Sequence, residues 1–416
     1  MEPMHQIPVF AINLKKRPER KEHITAEFVG RDEFQLEVVA AIEEENGRMG
    51  LWKTIHQVVS HMKAMDMDYG IICEDDHYFT TNYSHTLLQD TIWKCQLLQA
   101  DALLGGVSWF QGFVPVTEKL CWIERFTGLQ FCVVFKKFYD QILDASFTAS
   151  DAADLKFWEI SEKIFLLHPF ISKQKEFGYS DTTERNNEPG AVTRHFQRIS
   201  AEIASLSTLS TYYQQLGSRH EKAPITNIEE PFKLPVLTIE PASNKGCPAY
   251  ITDLNAIPAT NLHQRITQII QQGLECFIIA RAPFNFLTDA ELGYLLSNIR
   301  EAAEEGADCL CIGCADFGQS FPITSHRFWI SSFSSASLLV IFPSFYESLL
   351  QMEDRITPDN LDYLLSKQTI YKMLLMPVTT VLSNSPGKED RKGANRIHVI
   401  RRAFDQLAVH KEKLSI

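Results

Sequence analysis

Positive charge is in short supply: 40 Lys and Arg stand against 52 Asp and Glu, a formal net charge of −12. That balance argues against a nucleic-acid binder, whose footprint is basic. It leaves anionic ligands open, because a bound cation or a local arginine cluster reverses the sign locally. Long apolar runs are missing as well. None approaches the roughly 20 residues that span a bilayer, so no transmembrane segment is expected. Met1 to Gln6 is polar and the next apolar stretch is only Ile7 to Leu14, which lacks the pattern of a secretory leader. A disulfide framework is also missing. The nine cysteines are scattered, often inside apolar runs such as Phe131-Cys132-Val133, as in a reduced cytoplasmic protein with buried thiols. The run from Cys309 to Cys314 holds a CxxC, but no second pair or nearby His completes a zinc site, and alternation along a strand explains it better. Finally, there is no Gly-rich phosphate loop of the P-loop or dinucleotide type.

What remains is ordinary globular composition, 45% hydrophobic and 22% charged over 416 residues, long enough for two or three domains. Its most informative stretch is Tyr69-Gly70-Ile71-Ile72-Cys73-Glu74-Asp75-Asp76. An apolar run that ends in three carboxylates reads as a buried strand delivering acids to a crevice. Adjacent anions repel, so either solvent or a cation must attend them. A solvated acidic turn and a divalent-metal site that holds a diphosphate both satisfy this.

Strand and helix alternate around that stretch. Pro8 to Leu14 predicts a strand, followed by the basic loop Lys15 to Arg20 and a helix from about Glu19 to Val29. Leu36 to Ile42 predicts a strand, Gly47 to Gly50 a turn, and Leu51 to Met65 an amphipathic helix. A helix over 83–98, a strand at Ala102 to Val107 interrupted by Gly105-Gly106, strands within Trp122 to Phe135 and a helix over 136–143 follow. Such alternation indicates an α/β fold. Among the basic residues, Arg17 and Arg20 suit a phosphate best, since a guanidinium offers two parallel hydrogen bonds. The paired glycines would admit close approach to the backbone. Trp109 and Trp122 would either stack on a sugar or fill the core.

In this order the segments resemble glycosyltransferase family 25, which includes lipopolysaccharide glycosyltransferases and procollagen galactosyltransferases. The matching residues are Ile12-Asn13-Leu14 with Arg17 to Arg20, then Glu74-Asp75-Asp76, then Pro169, Gln174 and Ser180-Asp181. The resemblance covers roughly residues 7 to 182. It departs from the family where Leu51 replaces a Cys and His56 falls one place late. The resemblance implies a GT-A fold, a UDP-sugar donor, a glycan acceptor, Mn²⁺ or Mg²⁺, and inversion at the anomeric carbon. It implies metal contact by Asp76 and Glu74. It places Asn13, Leu14, Arg17, Arg20, Glu74, Asp75, Gly105, Gly106 and Asp181 near the donor. Asp154 becomes the candidate general base, with Asp151 and Glu159 as rivals and a helix N-cap as the alternative role.

The second half repeats the first. Gly70 to Phe79 can be laid on Phe277 to Phe286, with Asp76 on Pro283 (283 − 76 = 207), and the same offset pairs Asp101 with Asp308, Gly106 with Gly313 and Tyr139 with Tyr346. Pro169 meets Pro377 with a shift of one more residue. In this copy Glu74, Asp75 and Asp76 become Arg281, Ala282 and Pro283, which cannot hold a metal. Asp154 has no firm counterpart; Asp359 and Asp362 lie near the matching stretch. The expected organisation is a GT-A-like domain at 1–182, a linker or bridging helix at 183–232, and a degenerate GT-A-like copy at 233–416. The basic tail, Lys388 to Arg402, is either a solvated face or a peripheral contact with anionic lipid or glycan.

Overall fold

The computed structural model describes residues 6–178, 188–217, 234–239, 250–257, 260–281, 289–314, 316–352, 355–376 and 390–414. The chain divides into two compact units, residues 1–208 with 402–416, and residues 209–401. Each unit carries one mixed eight-stranded sheet, so the α/β expectation holds.

The first unit runs β1 (Ile7–Asn13), α1 (Pro18–Phe28), β2 (Phe34–Ala40), α2 (Gly47–Ala64), β3 (Tyr69–Glu74), β4 (His77–Phe79), α3 (His85–Leu97) and β5 (Ala102–Leu104). It continues with β6 (Trp109–Pro115), β7 (Leu120–Thr127), β8 (Phe131–Phe135), α4 (Tyr139–Asp144), α5 (Ala153–Ile160), β9 (Ile164–Leu167), β10 (Ser172–Gln174) and α6 (Ala191–Gly217). Its large sheet has the order β2-β1-β3-β8-β5-β9-β7-β6. The central strands are covered on both faces: Val9, Ala11, Ile71, Cys73, Leu104, Val133 and Val134 are all inaccessible to solvent. This explains why they read as unbroken apolar runs instead of alternating ones.

One sequence expectation is corrected here. The turn expected at Gly47 to Gly50 is the first turn of α2, because the Asn46 side chain accepts a hydrogen bond from the Arg48 amide and caps the helix. Of the segment 183–232, residues 191–217 form α6. Phe196, Ile199, Ile203 and Leu206 on α6 are buried, and the unit boundary falls after residue 208.

The second unit holds β11 (Leu234–Thr238), β12 (Ile251–Asp253), α7 (Leu262–Ile270), β13 (Phe277–Ala280), α8 (Asp289–Glu304), β14 (Cys309–Ile312), β15 (Asp316–Phe317), β16 (Ser320–Pro322) and β17 (Arg327–Ile330). Then come β18 (Phe333–Ser334), β19 (Leu338–Ile341), α9 (Tyr346–Leu350), α10 (Leu361–Gln368), β20 (Lys372–Leu375) and α11 (Asp390–Leu414). Its sheet order is β12-β11-β13-β19-β14-β20-β17-β16. Strand for strand this is the order and the parallel or antiparallel sense of the first sheet. Registers repeat as well. Phe113 pairs with Ile123 and Ser320 with Ile330 (320 − 113 = 207), while Ala102 pairs with Ile164 and Cys309 with Lys372 (372 − 164 = 208). Buried polar fastenings recur too: Ser161 donates to Asp101 and Thr369 to Asp308, and the indole N–H groups of Trp122 and Trp329 donate to the carbonyls of Glu162 and Ile370.

Candidate functional site

In an open sheet, a ligand crevice forms beyond the carboxyl ends of strands where neighbouring connections leave in opposite directions. In the first unit that point lies beyond β1, which is flanked by β2 and β3. A cavity of about 440 Å³ lies there, lined by Ile12, Leu14, Arg17, Arg20, Glu74, Asp75, Asp76 and Gln174 among others.

The three acids have separate surroundings. Asp75 is buried and accepts hydrogen bonds from Asn13 Nδ2 at 2.8 Å and Arg20 Nη1 at 3.0 Å. Arg20 also lies 3.5 Å from Asp76 Oδ2, and its guanidinium stacks over Phe177. Asn13, Arg20 and Asp75 therefore form one internal network under the cavity. Arg20 and Asp75 also line the cavity, whereas Asn13 stands behind them. Asp76 Oδ1 is buried without a hydrogen-bond partner, and burial raises the Asp76 carboxyl to about 7 against the pull of Arg20. Burial, followed by the charges of Asp76 and Asp154, pushes Glu74 well above the ordinary carboxylate range. Glu74 Oε2 accepts from Gln174 Nε2 at 3.2 Å.

A second cavity, of about 480 Å³, adjoins the first. Leu51, Glu74, Gln174 and Val192 line both. Asp154 lies in this second cavity, with Oδ2 accepting from the Gly128 amide at 3.1 Å and Oδ1 from the Leu155 amide at 2.9 Å. Burial raises its carboxyl, and those backbone donors and Arg48 oppose the rise. Trp109 also lines this cavity and is exposed, whereas Trp122 is core.

Several other candidates lie elsewhere. Asp151 accepts from the Thr148 amide and hydroxyl, and Glu159 pairs with Lys156; neither lines either of these two cavities. Gly105 and Gly106 are absent from both as well. The backbone that approaches them is the protein's own: the amides of Ile171 and Ser172 donate to the Gly105 carbonyl, and a Cβ on Gly106 would sit 2.2 Å from the Ser172 carbonyl oxygen. Gly106→Ala is accordingly expected to destabilise the first unit by about 1–3 kcal/mol, from overpacking. Native-state hydrogen exchange at the amides of β5 and β8 would measure it, and a cost below about 0.5 kcal/mol would contradict this packing. His56 Nε2 donates to the Leu143 carbonyl at 3.1 Å, and His56 is absent from both cavities. Asp181 lies outside the described residues. Arg48, His195 and Arg198 line the second cavity without having been singled out in the sequence; no short motif marks them.

The second unit shows what became of these positions. Helices α5 and α10 begin at Ala153 and Leu361 (361 − 153 = 208), so Asp154 corresponds to Asp362. The register also carries Glu74 to Arg281. Asp362 Oδ2 accepts from the Ala336 amide, as Asp154 does from Gly128. Its Oδ1 accepts from Arg281 Nη2 at 2.7 Å. Where the first unit sets two carboxylates against each other, the second sets an ion pair. Arg281 is thus committed within its own unit, while Ala282 and Pro283 lie outside the described residues.

No triad of potential metal ligands completes the first cavity: among the described residues no group of three or more His, Cys, Asp or Glu is arranged to hold a metal. Nor is any described helix long and apolar enough to cross a membrane. In the basic tail, Arg396 is buried, donating to the carbonyls of Phe317 and Gly318, and Arg402 pairs with Glu162. Arg396 is therefore not part of a solvated basic face, whereas Arg402 and its partner are exposed. Cys309, Cys311 and Cys314 are buried free thiols, the first two on β14.

The fold and cavities define a mixed α/β protein with a cavity at the carboxyl ends of β1 and β3. No family model matches the chain, and no curated protein matches it. Among solved structures it is similar to A197 from STIV, at 10% identity over 40% of this chain and 84% of that one, with a TM-score of 0.27. It is also similar to an apo UDP-glucose pyrophosphorylase, at 9% identity over 47% of this chain and 82% of that one, with a TM-score of 0.29. Likenesses of this size carry no argument about chemistry.

Proposed function

We propose that the first unit is a GT-A-like glycosyltransferase, as the family 25 resemblance implies, and that the second is a copy without catalytic capacity. The observation that carries the reading is the meeting of two cavities at Glu74: one beside the acid triplet, the other holding Asp154. A UDP-sugar would occupy the first and a glycan acceptor the second, the acceptor belonging to lipopolysaccharide or another surface polysaccharide. Asp154 would take the proton of the acceptor hydroxyl as its oxygen bonds to the anomeric carbon. The bond from that carbon to the diphosphate breaks, and the nucleoside diphosphate leaves with the electron pair, inverting the centre.

Mn²⁺ or Mg²⁺ fits the residues present. Asp76 Oδ1 is buried without a partner, and magnesium-type sites often take only one or two carboxylates and complete their shell with phosphate and water. Asp76 and Glu74 would hold the ion, which when bound neutralises charge on the departing diphosphate. Arg17, which lines the first cavity, would bind phosphate oxygens. Asn13 and Arg20 would act through Asp75, holding the triplet in place.

A second reading has one observation in its favour. Arg20 already supplies counter-charge to Asp75 and Asp76, as a nucleotide- or carbohydrate-binding protein without metal or catalysis would require. Calorimetric titration with UDP separates the two. Mn²⁺-dependent binding is expected in the wild type, with Asp76→Ala weakening it on the order of 100-fold, about 2.7 kcal/mol. Equal affinity with and without Mn²⁺ would favour the binding protein. No UDP binding at all would remove the donor assignment.

A further inference from the structure

The second cavity has a chemistry of its own. Val192, His195 and Arg198 all line it. At three-residue spacing they form one stripe along α6, distinct from the buried stripe of Phe196, Ile199, Ile203 and Leu206. From across the cavity, Arg48 in the first turn of α2 and the exposed Trp109 at the start of β6 complete the lining. Neither Arg48 nor Arg198 has an ion-pair partner among the described residues, whereas Arg20, Arg125, Arg194 and Arg402 of the same unit are each paired with a carboxylate. Arg48 acts on Asp154 through its charge without a direct ion pair, so both guanidinium groups keep hydrogen-bond donors for a ligand, more than an uncharged ligand requires. Arginine is the side chain best shaped to grip a carboxylate or phosphate through paired hydrogen bonds.

We propose that this cavity binds an anionic sugar, a uronate or a sugar phosphate. The Trp109 indole would lie against the apolar face of the ring, and Arg48 and Arg198 would hold the charged group. His195 would add a hydrogen bond from the same helix face. The sugar's hydroxyl would then be directed toward Asp154 and the wall shared with the first cavity. This rests on the acceptor assignment above and sharpens it: the acceptor glycan carries a negative charge close to the hydroxyl that reacts.

Saturation-transfer NMR on the full chain tests the idea without any donor present. The probes are methyl β-glucuronide, glucose 6-phosphate and uncharged methyl β-glucoside. At least one anionic probe should bind about tenfold tighter than the glucoside, the effect of one charge-assisted contact. The double variant Arg48→Gln/Arg198→Gln should erase that preference while retaining glucoside binding. Trp109→Ala should weaken all three. Preference for the glucuronide alone identifies a carboxylate ligand, and preference for the phosphate alone a phosphorylated one. Equal binding of the three probes, no binding of any, or a preference that survives the double variant overturns the proposal. UDP titration of the same samples separates the failures: anionic probes that bind while UDP does not leave this site standing and remove the donor assignment.

Discussion

Glu74→Arg is expected to abolish Mn²⁺-dependent UDP binding and sugar transfer while leaving the first unit folded. The second unit supplies the reason. Its residue at this register is Arg281, which donates to Asp362 at 2.7 Å and to the Pro358 carbonyl at 2.7 Å. Asp362 is held by a backbone amide as Asp154 is, so an arginine at position 74 finds the same carboxylate waiting. The new pair would place a fixed cation where the proposed ion binds and would occupy the proposed base. A loss of about 10³-fold or more in turnover follows, roughly 4 kcal/mol of transition-state stabilisation. Glu74→Gln is the control. It removes the charge without building the ion pair, so Asp154 stays available and the loss should be smaller. Native-state hydrogen exchange at the amides of β3 and β8 should show the first unit of Glu74→Arg at least as protected as in the wild type, because two neighbouring acids become a pair. A Glu74→Arg variant that kept more than about a tenth of its activity would remove Glu74 from the site.

That comparison depends on a correspondence the sequence only half contains. The apolar run ending in Glu74-Asp75-Asp76 was legible because a strand covered on both faces cannot hide its pattern. The 207-residue offset was legible for the same reason, since it rides on buried strands. It blurs beyond Leu350, where one extra residue enters, and so Asp362 could be placed only near the matching stretch. The pairing of β14 with β20 settles the shift, because hydrogen-bond register tolerates no slip of one residue without turning side chains to the other face. Gly105-Gly106 failed differently. A glycine pair signals close approach but not what approaches, and here it is the backbone of Ile171 and Ser172. Arg48, His195 and Arg198 belong to a third class: each is an ordinary surface residue in sequence, and only the packing of α2, α6 and β6 around one cavity groups them.

Arg327 was equally silent in the sequence, and Arg327→Ala is expected to give the largest stability loss in the second unit. It stands on β17 at the register of Leu120 (327 − 120 = 207), is 1% exposed, and makes four side-chain contacts. Nη2 and Nε donate to the two oxygens of Glu305 at 2.8 and 3.3 Å; Nη1 donates to Asn298 at 2.9 Å and also to Glu301. Glu305 is itself 1% exposed. Truncating the arginine strands that carboxylate in a low-dielectric interior, and breaking a buried pair from one side costs about 3–5 kcal/mol. Removing both partners is a different matter. Arg327→Leu with Glu305→Leu restores the apolar residue that the first unit has at this place, and such replacements are often neutral or stabilising, by about 1–4 kcal/mol. The two variants therefore move in opposite directions, although the double one removes more contacts. Because the chain has two units, a single melting temperature is not well defined. Native-state hydrogen exchange at the amides of β14 and β17 isolates the relevant opening. Protection lost in Arg327→Ala and recovered in the double variant supports the account. A single-variant cost below about 1 kcal/mol would show that the Glu305 carboxylate finds water or another partner once Arg327 is gone.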